Sequence, residues 1–206
     1  MSSKKYLLMV VSFLLPLFLL GYTQTSNGSH NAEVPQIRSV IEQGWRLRLT
    51  AGLEENRGKE SLFENKLRRY FSNKPKKPSP RFQWHGQKFA INGKQSPLAN
   101  LSPTASEWEI QKAYVENGRY NQEMAHFWVD ECRTRKFDFK EIRVTGKRAK
   151  AVVDIVFWCK ISYMAQGHYR STKPVGGERH TYVLQKESGV WKIVDDTFTI
   201  IPGYEP

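Results

Sequence analysis

The chain has 206 residues, a formal net charge of +12 and a 39% hydrophobic content that includes six Trp and eleven Phe. So many aromatic residues exclude a chain disordered throughout, and at roughly 100–200 residues per domain the length accommodates one ordinary domain. The positive excess calls for an acidic counterpart, such as anionic lipid, a cell-wall polymer or nucleic acid, without choosing among them.

Lys4 and Lys5 precede an apolar run from Tyr6 to Leu20, interrupted only by Ser12 and Pro16, and the polar tract TQTSNGSHN follows. Charge before a short apolar stretch is the pattern of an export leader or N-terminal anchor. The run is shorter than the about 20 apolar residues that span a bilayer and holds a proline, which favours cleavage, although no A-x-A site is present. No Cys follows it, which excludes a bacterial lipoprotein. The expected organisation is a signal peptide or anchor over residues 1–22, a linker over 23–33 and one domain over 34–206. Such a protein is secreted or membrane-anchored, outside the cytoplasm.

Beyond the linker, Val34, Ile37, Ile41, Trp45 and Arg48 follow helical spacing, with Pro35 in place as a first helical residue. A second helix is expected from Lys59 to Phe71, burying Leu62, Phe63, Leu67, Tyr70 and Phe71, and the prolines of SNKPKKPSP end it. That break holds a basic patch of Arg68, Arg69, Lys74, Lys76, Lys77 and Arg81. RFQWHGQKFAIN reads as a small hairpin turning at Gly86-Gln87. In TASE, Thr104 and Glu107 form a capping-box pattern that starts a third helix at Ala105, continuing toward Cys132.

From Phe137 to Ile200 the pattern changes to alternation with period two, and a four-stranded antiparallel meander is expected. A turn at Gly146-Lys147 sets Val144 opposite Ala149, Ile142 opposite Ala151 and Lys140 opposite Val153. Ile155, Phe157, Cys159, Ile161 and Tyr163 continue that face. Phe137, Phe139, Val156 and Trp158 fall on the other, a candidate association face. In the last hairpin His180, Tyr182 and Leu184 share a face with Trp191, Ile193 and Asp195. Cys132 extrapolates to the same face as Cys159 and diagonal to it, which leaves either a disulfide or a pair of buried thiols.

The order of long helix, short helix, hairpin, helix and strands, closing with SGVWKIVDD, resembles the nuclear transport factor 2-like superfamily, also called cystatin-like or SnoaL-like. The resemblance covers residues 35–200. It implies an α+β fold in which a curved antiparallel sheet wraps around N-terminal helices as a cone-shaped, cystatin-like roll with an internal pocket. Exported or tethered relatives include inner-membrane parts of type IV secretion machines and accessory domains of envelope proteins. The closing YVLQKESGVWKIVDD is similar to the corresponding domain of chloroplast and cyanobacterial division proteins. Catalytic members carry acid–base groups inside the cone, and many members dimerise through the outer sheet face; fold alone does not choose between such roles.

The inward groups here are His180 and Asp195, which have the parts of a general base and its orienting carboxylate, with Tyr163, Tyr182, Phe157 and Trp191 as pocket lining. The competing reading is a structural hydrogen bond, with the tyrosines in the core. His and Cys spacings match no metal motif, and Gly176-Gly177 precedes no helix, so it reads as a flexible connection and no cofactor or metal is expected. The leading function is a non-catalytic exported or membrane-tethered binding and assembly domain of the cell envelope. The alternative is a small pocket enzyme of isomerase, dehydratase or hydrolase type. The expected partners are a second copy of the chain or an envelope protein, with anionic lipid or cell-wall polymer as the acidic counterpart; nucleic acid is disfavoured.

Overall fold

A computed structural model of the chain describes residues 27–77, 90–91 and 94–204. The N-terminal apolar run, the turn at Gly86-Gln87 and Arg81 of the basic patch lie outside the described residues. The fold is α+β, and among the described residues three α-helices pack against a five-stranded antiparallel sheet. The helices are α1 (Asn27–Ala51), α2 (Glu60–Leu67) and α3 (Glu107–Ala125). A two-stranded ribbon of β1 (Ala90–Ile91) and β2 (Lys94–Gln95) stands apart from the main sheet.

The main sheet contains β3 (Phe127–Thr145), β4 (Arg148–Ala165), β5 (His168–Thr172), β6 (Val175–Glu187) and β7 (Val190–Ile200). It is not a plain four-stranded meander. Its order is β3-β4-β6-β7, and β5 pairs with the far end of β4, so that β5 and β6 share one edge of that long strand.

Alternation within β4 holds as its sequence indicates: Ala149, Ala151, Val153 and Ile155 are all buried on the inner face. They meet Ile37, Ile41 and Trp45 from α1 and Leu67 and Phe71 from the α2 region, with Tyr182, Leu184, Trp191 and Ile193 completing the core. Each of these helices has one apolar stripe and each strand one apolar face, so the two layers bury one another. After α2 the chain adds a single parallel bridge to β7, with Ser72 N–H donating to Ile193 O at 2.8 Å and Ile193 N–H to Tyr70 O at 2.8 Å.

Bulges change the expected register. In β3 the pairing shifts at three places, between Val129 and Glu131, Thr134 and Lys136, and Phe139 and Glu141. Val144–Ala149 and Ile142–Ala151 pair as expected, but Lys140 is an extra residue and Phe139 takes the place opposite Val153. Each bulge adds a residue to one strand, bends it and reverses the parity beyond it. Phe137 and Phe139 therefore turn toward the helices, where Arg46 and Arg38 of α1 lie over their rings at 5.8 and 4.6 Å.

Several boundaries also differ. Helix α1 begins eight residues before Pro35, and α2 stops at Leu67 with Leu62 57% exposed. The cap of α3 is Ser106 with Glu109, not Thr104 with Glu107. Glu109 N–H donates to Ser106 Oγ at 3.3 Å, and Ser106 N–H to Glu109 Oε2 at 2.7 Å. The helix ends at His126, whose left-handed backbone (φ 48°) turns the chain straight into β3, so residues 127–132 are strand.

Gly176 and Gly177 lie inside β6, where two rings close on the backbone. A Cβ on Gly176 would stand 2.7 Å from the Phe157 ring, and one on Gly177 would stand 2.6 Å from Tyr204. The pair is a packing device, not a flexible connection.

Candidate functional site

The most concentrated polar group of the interior gathers on β6 and β7 beneath the C-terminal half of α1. His180 is 0% exposed, and both of its ring nitrogens are engaged: Nδ1 lies 2.6 Å from Asp196 Oδ1 and Nε2 lies 2.8 Å from Glu178 Oε2. Arg48 reaches down from α1 to within 3.6 Å of Asp196 and 3.7 Å of Glu178. The imidazole is stacked on Tyr182 at 5.2 Å and on Phe198 at 5.3 Å, with Trp45 edge-on at 5.0 Å.

Burial alone pulls the His180 pKa down. The charge of Asp196 and the hydrogen bonds to Asp196 and Glu178 outweigh that and hold it above 6.5. The ring lies between two carboxylates that favour its protonated form, with Arg48 beside them. Burial likewise opposes the charge on Arg48, and Asp196 and Glu178 more than restore it. The Tyr182 hydroxyl is pushed well above its ordinary range, by burial first and then by Asp196.

Asp195 is not the partner of His180. Val183 pairs with Asp195 and Leu184 with Ile193, so Val194 is an extra residue and parity reverses beyond it. Asp196 therefore enters the core opposite Tyr182. Asp195 faces Lys76, whose Nζ donates to Asp195 Oδ1 at 2.8 Å and to Glu107 Oε2 at 2.9 Å. Glu107, 2% exposed, also accepts from Gln111 Nε2 at 2.7 Å. Burial, helped by the charge of Asp196, keeps its pKa raised against the pull of Lys76.

A cavity of about 310 Å³ lies beside the His180 cluster. Leu49, Val129, Ile161, Phe198 and the Cys132–Cys159 pair form its apolar walls, while Arg48, Glu178 and Tyr114 are its polar groups. A second hollow, about 530 Å³ and mostly apolar, is lined by Phe127, Ile161, Tyr163, Met164, Asn121 and Thr172. Of the expected pocket residues, Tyr163 lines this second hollow. Tyr182 and Trp191 are buried in the core, and Phe157 packs edge-on against Trp45 at 5.3 Å. The lower part of the cone is filled.

Other expected groupings come apart. Phe137 and Phe139 face inward, and Val156 and Trp158 stay on the outer side, next to a row of charges that crosses the sheet at Asp154. There Arg179 grips Asp154 through two hydrogen bonds of 2.6 and 2.8 Å, and Lys136 and Lys140 pair with Asp138 at 3.0 and 2.7 Å. The basic patch is largely committed to the fold: Arg68 stacks over Trp108 at 4.0 Å, Lys74 stands 3.5 Å from Glu187, and Lys76 is held by two carboxylates. Cys132 lies directly opposite Cys159 and is bonded to it as a disulfide.

Glu178, Asp196 and Arg48 are the site residues that strand parity did not assign. Glu178 lies two positions before His180 and so shares its face, a signal present in GERHTY. Asp196 is hidden by the bulge. Among the described residues, no His, Cys, Asp and Glu group is placed to hold a metal ion, and no helix is long and apolar enough to cross a membrane.

No family model and no curated relative matches the chain. Solved structures do. The intermembrane-space region of the chloroplast protein ARC6 is 10% identical, with a TM-score of 0.46 over 84% of this chain and 96% of that one. An NTF2-like protein with a cystatin-like fold from Novosphingobium aromaticivorans is 10% identical, with a TM-score of 0.41 over 89% and 94%. A type 2 hexachlorocyclohexane dehydrochlorinase (LinA) is 13% identical, with a TM-score of 0.40 over 86% and 95%. The Novosphingobium protein and the dehydrochlorinase stand among structural neighbours of the chain that are NTF2-like, cystatin-like fold proteins.

Proposed function

We propose that the chain is a non-catalytic binding and assembly domain of the cell envelope, exported or tethered by its apolar N-terminal stretch and working outside the cytoplasm. The observation that carries the non-catalytic reading is the state of His180. It is 0% exposed and both of its ring nitrogens are taken up by carboxylates, so neither nitrogen is open to a substrate. The neighbouring cavity has apolar walls, and its charged groups, Arg48 and Glu178, are already paired. At about 310 Å³ it is at the lower end of the roughly 300–1,000 Å³ typical of small-molecule sites and suits an alkyl chain or an apolar side chain of a partner. The disulfide supports an oxidising compartment.

The test titrates the intact chain with decanol below its solubility limit, following Trp fluorescence. Saturable binding that is lost in Val129→Trp, which fills the cavity, and retained in His180→Gln is the expected result. Absence of saturable binding, or a turnover of acyl, halide or hydroxy compounds that disappears in folded His180→Gln, overturns the proposal.

A further inference from the structure

Three basic side chains converge at a second place. A concavity of about 270 Å³ between α1 and the end of α2 is lined by Gln43, Arg46 and Thr50 from one helix and by Lys66, Arg69 and Tyr70 from the other side, over a floor at Leu47. Gln43, Arg46, Leu47 and Thr50 follow helical spacing along α1, a stripe distinct from the buried Ile37, Ile41 and Trp45. Three basic residues line the hollow and no carboxylate does.

Most cations of the neighbouring basic run are neutralised or stacked. Among the described residues, Lys66 and Arg69 have no carboxylate in ion-pair reach, whereas Lys74 and Lys76 do. Arg46 has one exposed partner on its own helix, Glu42 at 3.6 Å, and exposed pairs of that kind hold a guanidinium weakly. Its other contact is the Phe137 ring at 5.8 Å, which leaves the donors of its fork available. Lys66 and Arg69 alone have a simple structural reason, since cations favour the C-terminal end of a helix. That reason does not extend to Arg46, which lies more than one turn before the end of α1 at Ala51, beyond the reach of that effect, and lines the opposite side of the hollow.

From this arrangement we infer that the α1/α2 hollow binds a phosphate group. A tetrahedral oxyanion matches the parts: a guanidinium offers two parallel donors, an ammonium a point charge, and a concave cationic wall focuses the field on what sits between. Tyr70 and Gln43, which also line the hollow, carry a hydroxyl and an amide as further hydrogen-bonding groups. The Thr50 hydroxyl donates back to Arg46 O at 2.9 Å, which fixes the wall and leaves its oxygen as an acceptor for a phosphate ester proton or a bridging water. The site is independent of the cavity beside His180, so either proposal stands without the other.

Calorimetric titration of the intact chain with inorganic phosphate at low ionic strength tests the inference. Saturable binding is expected, weakened about tenfold by Arg46→Gln, Lys66→Gln or Arg69→Gln alone and abolished by the Lys66→Gln/Arg69→Gln pair. Lys74→Gln/Lys77→Gln, which removes the same charge outside the hollow, leaves binding unchanged. Phosphatidylglycerol vesicles separate the sources. Capture that drops in Lys66→Gln/Arg69→Gln and is competed by free phosphate assigns the site to a lipid headgroup. Phosphate binding with unaltered capture assigns it to a soluble phosphate ester. Lack of saturation, equal loss in the two double variants, or single-stranded DNA retention that depends on Lys74 and Lys77 rather than on Lys66 and Arg69 overturns it.

Discussion

His180 Nδ1 and Asp196 Oδ1 stand 2.6 Å apart in the core, and Glu178 closes the other side of the ring at 2.8 Å. Two carboxylates thus flank one buried imidazole, with Arg48 closing the group from α1. Removing one member leaves a buried charge unbalanced, which is far costlier than deleting the whole group.

Asp196→Ala is therefore expected to lower unfolding free energy by roughly 3–5 kcal/mol in urea denaturation. Asp195→Ala removes a partly exposed partner of Lys76 and is expected to cost about 1 kcal/mol. Equal losses in the two variants would contradict the register shift at Val194.

The protonation of His180 gives a pH dependence of definite sign. Its folded pKa is raised above 6.5, so its contribution is fully present below about 6.5 and is lost as pH rises through the folded value. Nitrogen-15 imidazole spectra followed across the pH range should show His180 losing its proton above the ordinary histidine value of 6.5, and urea midpoints should fall as pH rises through that step. Loss of that proton below pH 6.5 would refute the assignment and reopen the case for a base.

Gly177→Ala is expected to destabilise by about 1–3 kcal/mol, because a Cβ there meets Tyr204 at 2.6 Å. Adding Tyr204→Ala removes the obstacle. The double variant should then lose less than the sum of the two single changes, as measured by a urea double-mutant cycle.

Cys132 and Cys159 are 27 residues apart, and closing that loop restricts the unfolded chain. The Cys132→Ser/Cys159→Ser variant is expected to lose about 3–4 kcal/mol. A thermal melt of the oxidised chain with and without reductant provides the same comparison without mutation.

The sequence by itself settled what lies within an uninterrupted element. The stripe Ile37, Ile41 and Trp45, the turn at Gly146-Lys147 and the inner face of β4 all follow from covalent geometry that repeats every 3.6 or two residues. His180 could likewise be placed indoors, because nothing breaks β6 between it and Leu184. Only the tertiary structure decided which aspartate meets it, which side Phe137 and Phe139 take, and which cations stay free. A bulge is set by how one strand must bend to keep its hydrogen bonds with the next across a curved sheet, and a lysine is committed only when a distant carboxylate arrives beside it. Those are properties of neighbours in space, and the local period carries no record of them.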